Sequence, residues 1–295
     1  MIVVAGSLNM DLVGRVPYLP APGETVLGSS FTMHQGGKGG NQAVAARRMG
    51  CDVSFCGAVG SDAFGDALVH GLIDEGIDVA GVRRGLLPTG CALINVDDRG
   101  DNTISVLPGA NGEAPPAPDP WPASWRMLLL QLEIPAATSL AWARAARAAG
   151  ATVVLNAAPV GAMPEGLIGL VDVLVVNEIE IDSLVGRHVG ASGALAAAVG
   201  LGPTRVVVTL GGRGCLALDR DRHLNLPAHA VEVVDTVGAG DTFVGALAAE
   251  LAQGRAFDVA LARANAAAAL ACTRGGARGG MPSAAAVDGL LRAAA

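Results

Sequence analysis

The sequence predicts an α/β fold: a mainly parallel sheet with helices on both faces, and a small β-sheet lid beside it. Three observations carry this reading. Short β-branched runs alternate with helix-period segments along most of the chain, the pattern of βαβ units. Hydrophobic residues make up 51% of the 295 and charged residues 16%, enough apolar surface for one large core. Residues 90–107 break the rhythm with two alternating runs around Asp97-Asp98-Arg99-Gly100, a hairpin signal.

In chain order, residues 2–6 (IVVAG) read as a buried strand, and 11–35, with Pro17, Pro20, Pro22 and Gly23, as a turn plus strands. Asn41 to Met49 has a helical pattern that Gly50 closes. A strand at 53–59 and a helix at 63–76 follow, then the hairpin. Together with 11–35 the hairpin would make a lid from two chain segments on a single domain spanning 1–295. Pro-rich 114–122 is a surface loop, after which the alternation resumes. It runs through RMLLLQLE, a helix at 136–149, TVVLNA, VDVLVVNE, helices near 178–186 and 191–199, and the strand RVVVTLG. A short β section is expected over Gly214 to Val234, then helices near 240–253, 256–271 and 283–293.

Composition narrows the function. The net charge of −7 and 3% aromatic content argue against a nucleic-acid partner, which needs a basic face and stacking rings. The five cysteines lack CxxC spacing and read as buried thiols in a reducing, cytoplasmic setting. No apolar run approaches the roughly 18 residues of a membrane span, and MIVVAGSLNMD does not have the pattern of a signal peptide.

The sharpest chemistry lies in DTVGAGDTFVGAL (235–247). Gly238, Ala239 and Gly240 let successive amides converge, and the helix behind them turns its positive end to the same point. This is an anion site without the Lys-Ser/Thr of a Walker loop. Asp241 at its mouth reads equally as a helix N-cap or as a general base that takes a hydroxyl proton during phosphoryl transfer.

DTVGAGDTF together with GGKGGNQAVAARRMG (36–50) resembles the two signatures of the PfkB/ribokinase family of carbohydrate kinases. GAVGSDAFG (57–65), LPGAN (107–111), QLE (131–133), NEIE (177–180) and TLGGRG (209–214) fall in the family's order between them. The resemblance implies a ribokinase-like three-layer α/β/α domain that takes ATP and a small sugar. Asp241 would be the base, with Gly238, Ala239 and Gly240 as the anion hole. Sugar hydroxyls would meet Asn9, Asp11, Glu133 and the turn of Gly37, Lys38, Gly39, Gly40 and Asn41. Asn177 and Glu180 would organise Mg²⁺ through water, Thr209, Gly211 and Gly214 would receive ATP, and Asn265 would line the adenine pocket. A monovalent cation, K⁺, would sit among Asp235, Val237, Ala271, Arg274 and Gly276; Gly280 stands where such kinases commonly carry Ser. Each residue also has a plainer reading: loop caps for Asn9 and Asp11, an N-cap pair for Asn177 and Glu180, a helix-surface amide for Asn265.

Lys38 and the QLE and LNAAP segments tilt the resemblance toward D-ribose, with ribose 5-phosphate as product. The alternatives are another kinase of the family, acting on a nucleoside, a deoxyribose or a ketose, or a non-catalytic binding protein on the same fold. A dinucleotide oxidoreductase is disfavoured because GSLNMD lacks GxGxxG. By the same resemblance, the lid is expected to pair two copies into a homodimer.

Overall fold

The computed structural model describes residues 1–161 and 163–293. Its elements in chain order are β1 (Ile2–Ala5), β2 (Asn9–Arg15), β3 (Ser30–Gly36), α1 (Lys38–Arg48), β4 (Val53–Val59), α2 (Ala63–Asp74), β5 (Asp78–Arg84), β6 (Gly90–Val96) and β7 (Asn102–Leu107). Then come β8 (Met127–Leu130), α3 (Ala136–Ala148), β9 (Thr152–Asn156), β10 (Val173–Asn177), α4 (Glu178–Val185), α5 (Gly190–Ala198) and β11 (Arg205–Thr209). The last are β12 (Cys215–Asp219), β13 (Arg222–Leu226), α6 (Ala239–Ala252), α7 (Phe257–Ala271) and α8 (Ala284–Ala293).

The large sheet has the order β13-β12-β11-β10-β9-β8-β1-β4-β5. It is parallel from β11 through β5, and β12 and β13 finish one edge antiparallel. Successive side chains on a strand point to opposite faces. Ile2 and Val4, Met127 and Leu129, and Val173 and Val175 therefore face one core with α1, α6 and α7. Val3 and Ala5, Leu128 and Leu130, and Leu174 and Val176 face the other core with α3 and α5. Burial on both faces explains why these strands are continuous apolar runs. The three layers expected from the alternation are present.

A separate four-stranded sheet has the order β3-β2-β6-β7, with β2 and β6 parallel and the outer pairs antiparallel. Its strands come from two distant parts of the chain, and the β6–β7 hairpin turns at Asp97–Gly100 as expected.

The structure departs from the sequence reading in three places. Helix α1 begins at Lys38, three residues before Asn41, because Gly37 turns the chain with φ +84° and the Gly40 amide anchors to the Ser7 carbonyl at 2.9 Å. Residues 78–84 form β5, which pairs only with β4 at the sheet edge and carries no continuous apolar signal. The β section after Gly214 stops at Leu226, where Pro227 supplies no amide for a further ladder.

Candidate active site

Helices α1 and α6 cross at near contact: a Cβ on Gly245 would lie 2.4 Å from the Gln42 carbonyl oxygen. That closeness presses the first turn of α1 against the first turn of α6, where Asp241 stands. Asn41 Nδ2 donates to Asp241 Oδ2 at 3.0 Å, and Gln42 Nε2 donates to Asp241 Oδ1 at 2.9 Å. The carboxylate is thus held by both oxygens.

The chain enters α6 through Gly238 at φ +78°, a left-handed turn that a side chain would strain. Of the three amides expected to form the anion hole, that of Ala239 donates to the Thr236 carbonyl at 3.2 Å. The amides of Gly238, Gly240 and Asp241 have no acceptor among the described residues. The open donors at this helix end are therefore those of Gly238, Gly240 and Asp241, while the Ala239 amide of the expected trio makes the turn contact.

Two cavities meet at Asp241. The larger, about 1330 Å³, runs under the small sheet and is bordered by Asn9, Asp11, Lys38, Asn41 and Glu133. The smaller, about 150 Å³, is bordered by Lys38, Asn177, Glu180, Thr209, Gly240 and Asp241. Lys38, Gly238 and Asp241 border both. The nearby Asp241 carboxylate, aided by Glu133 and Glu180, raises the Lys38 ammonium above its ordinary value against the opposing effect of burial.

On the side of the larger cavity, Glu133 Oε2 accepts from Ser7 Oγ at 2.5 Å and from the Lys38 amide at 2.9 Å. Buried Asn9 accepts through Oδ1 from Asn111 Nδ2 at 2.7 Å. Asn111 is itself clamped to both backbone groups of Leu8. Burial, with Glu133 adding repulsion and Arg278 opposing, pushes the Asp11 carboxyl up to about 6. Gly37 turns the chain into α1, and Gly39 and Gly40 are buried in its first turn.

On the other side, Asn177 caps α4. Its Oδ1 accepts the Glu180 amide at 2.8 Å, and Glu180 Oε2 accepts the Asn177 amide at 2.7 Å. Burial raises the Glu180 carboxyl, with Lys38 opposing. Its Oε1 has no hydrogen-bond donor among the described residues. A buried carboxylate with a spare oxygen is short of positive charge and fits a water-clad divalent cation nearby. Thr209 borders the smaller cavity and donates to the Val176 carbonyl at 3.3 Å. Gly211, Gly214 and Asn265 border neither cavity. Gly214 passes so near the end of β13 that a Cβ would lie 2.0 Å from the Leu226 carbonyl, and Asn265 Nδ2 donates to the Pro227 carbonyl at 2.7 Å. The donor atoms of Asn265 thus hold the chain after β13.

Asp235 ties together the two loops expected to carry the monovalent cation. Its Oδ1 accepts the Val237 amide at 2.9 Å and its Oδ2 the Gly276 amide at 2.8 Å. Carbonyl oxygens plus one carboxylate suit a hard cation. Ala271 is buried and Arg274 exposed. A Cβ on Gly280 would lie 2.1 Å from the Ala271 carbonyl oxygen, so the loop closes on that carbonyl with no room for the serine side chain.

Several site groups carry no role in the sequence reading. Ser7, Gln42, Asn111, Gln131 and Asn156 all lie inside segments quoted there, but nothing in their spacing shows that they meet. Arg278 carried no signal. It donates to Asn41 Oδ1 at 3.2 Å, Gln35 Oε1 at 2.8 Å and the Gly36 carbonyl at 3.3 Å, and burial lowers it to about 10.

Comparison with known proteins supplies a family. Residues 1–284 match the profile described as pfkB family carbohydrate kinase. The ribokinase of Bacillus subtilis is 37% identical over 295 residues, covering 98% of this chain and 99% of its own. That of Haemophilus influenzae is 34% identical over 291 residues, covering 96% and 95%. Among solved structures, Arabidopsis thaliana ribokinase complexed with ribose and ATP superposes with a TM-score of 0.91 at 31% identity, covering 99% of this chain and 98% of that one. Thermotoga maritima ribokinase superposes with 0.88 at 34% identity, covering 99% of each.

Proposed function

The chain belongs to the pfkB family of carbohydrate kinases, and on that premise we propose that it transfers the γ-phosphoryl group of ATP to D-ribose, giving D-ribose 5-phosphate. The observation that carries the reading is the position of Asp241 where the two cavities join, beside the open amides of a helix N-terminus.

Ribose occupies the larger cavity, its hydroxyls donating to Asp11, Glu133 and Asn9. A polyol is held by convergent acceptors of this kind, and one hydroxyl of the wrong geometry leaves a buried group unpaired. The hydroxyl to be phosphorylated faces Asp241, which takes its proton as the oxygen attacks phosphorus. Charge on the phosphoryl group in transit meets the amides of Gly238, Gly240 and Asp241, with Lys38 between sugar and phosphate. Mg²⁺ supplies positive charge on the phosphate oxygens when bound, and Asn177 and Glu180 are the residues that would hold its waters. K⁺ would supply a fixed charge beside the anion site, held by the Asp235 carboxylate and the carbonyls of Val237, Ala271, Arg274 and Gly276.

The small sheet acts as the lid over ribose and excludes water that would otherwise accept the phosphoryl group. Exposed apolar side chains on it that do not border the larger cavity, Phe31, Met33 and Leu93, support a second copy packed against this sheet. Sedimentation at a dimer mass, lost on Phe31→Asp, checks this. No helix among the described residues is long and apolar enough to cross a membrane. The chemistry, with five unpaired cysteines, fits a cytoplasmic enzyme.

ATP-dependent phosphorylation is to be measured across ribose, deoxyribose, fructose, tagatose and nucleosides, each with and without K⁺. Ribose as the preferred acceptor is the expected result; preference for another acceptor replaces the substrate and keeps the kinase. Asp241→Asn is expected to retain ATP binding and lower kcat by about 10²–10⁴-fold. Unchanged turnover would remove the base assignment.

A further inference from the structure

Both side-chain amides that reach Asp241 have their oxygen ends occupied by a donor. Asn41 Oδ1 accepts from Arg278 Nε at 3.2 Å, and a guanidinium can only donate. This fixes the flip of Asn41 and turns its Nδ2 to Asp241. Gln42 Oε1 accepts from Gln131 Nε2 at 2.7 Å. Its own Nε2 serves two acceptors, Asp241 Oδ1 at 2.9 Å and Asn156 Oδ1 at 3.0 Å. Asn156 in turn is oriented by donating from Nδ2 to the Val175 carbonyl at 3.2 Å. Every amide in this chain therefore has one permitted orientation, set at the far end by a strand carbonyl and a carboxylate.

The cost of that arrangement falls on Gln131. Its Oε1 is fully buried without a hydrogen-bond donor and lies against Gly6, where a Cβ would approach to 2.2 Å. A flip would satisfy neither end, because Oε1 would then face Gln42 Oε1. Buried polar atoms are normally paired, and an unpaired one in a native fold calls for a reason. An apolar side chain of this size would fill the same space but leave the buried Gln42 Oε1 without its donor, so Gln131 is explained by its bond to Gln42 and not by packing.

We propose that Gln131 and Gln42 are positioning residues for phosphoryl transfer: Gln131 locks the Gln42 amide so that it holds Asp241 Oδ1 as an acceptor and leaves the carboxylate aimed at the sugar hydroxyl. The inference rests on the reading of Asp241 as the base.

The test is Gln131→Met, with Asp241→Asn measured beside it. Gln131→Met removes both the lock and the orphaned oxygen. Its Tm should stay close to that of the parent, because one unpaired oxygen, Gln131 Oε1, is exchanged for another, Gln42 Oε1. Its kcat should fall on the order of tenfold to hundredfold, as small misplacements of a reacting group do. The KM for ribose should stay within about twofold, because no group bordering the sugar is altered. Unchanged kcat overturns the proposal, as does a KM rise with kcat intact. If Gln131→Met does not fold, Gln42→Met, which removes the amide that holds Asp241 Oδ1, is read by the same split between kcat and KM; unchanged kcat overturns the proposal. Turnover surviving Asp241→Asn would instead overturn the base assignment itself, so the two failures are distinguishable.

Discussion

Strands β8 and β7 are near neighbours in sequence and opposites in construction. All four residues of β8 are buried between two helical layers, whereas all six of β7 are exposed. β8 lies at the centre of the large sheet between β9 and β1; β7 is an edge strand paired only with β6. The large sheet is held by apolar burial on both faces, roughly 25 cal/mol for each Å² removed from water. The small sheet buries less, Met10 and Ala92 with Leu12 and Cys91 packed beside them, and is otherwise held by its ladders and a few polar ties: Asn111 to Asn9, Gln35 to the Ala67 carbonyl, and Arg278 to Gln35. A segment with few buried contacts opens at low cost, as a cover over a substrate must. Asp241, the proposed base, belongs to a helix packed on the large sheet, and Asn9 and Asp11, the proposed sugar ligands, to a strand of the small one.

The contrast can be broken first in the large sheet. Leu129→Ala, at a side chain with no exposed surface, should cost about 2–5 kcal/mol in denaturant unfolding. A loss near zero would mean that the sheet centre does not carry the stability. In the small sheet, Ile104→Ala removes a side chain 57% exposed that borders the larger cavity. It should change stability by no more than about 0.5 kcal/mol, yet raise the ribose KM several-fold. A stability loss equal to that of Leu129→Ala would erase the distinction between the sheets.

The smallest effect sharpens the boundary between them. Asp11 carries a carboxyl raised to about 6, chiefly by burial. Sugar hydroxyls donate to the ionised form, so the ribose KM should fall as pH rises through about 6 and then level off. Asp11→Asn should weaken binding at neutral pH and flatten this dependence. Without sugar the linkage runs the other way: a raised carboxyl favours folding below its unfolded value near 3.8 and loses that contribution as pH rises through about 6. The parent minus Asp11→Asn difference in Tm across that window checks the sign.

Much of this was legible in the chain. The buried strands announced themselves because both faces are apolar, and Gly50, Gly76 and the Asp97–Gly100 turn marked ends correctly. β5 was not legible because an edge strand half in water has no apolar run to read. Gly238, Gly240 and Asp241 could be singled out because their chemistry is local to one turn. Arg278 could not, since its meaning comes from Asn41, 237 residues away. Gln131 sat within a quoted tripeptide, yet its role exists only through Gln42, 89 residues away.

By itself, then, the sequence determined the layering and singled out the glycine-rich helix start before Asp241, because these follow from periodicity and from groups a few bonds apart. Only the tertiary structure decided which first-turn amides remain open, that Asn265 Nδ2 donates to the Pro227 carbonyl, and that Asp241 is gripped through both oxygens. Hydrogen bonds act over about 3 Å, and which distant side chains come within that reach is settled by how closely helices such as α1 and α6 can pack.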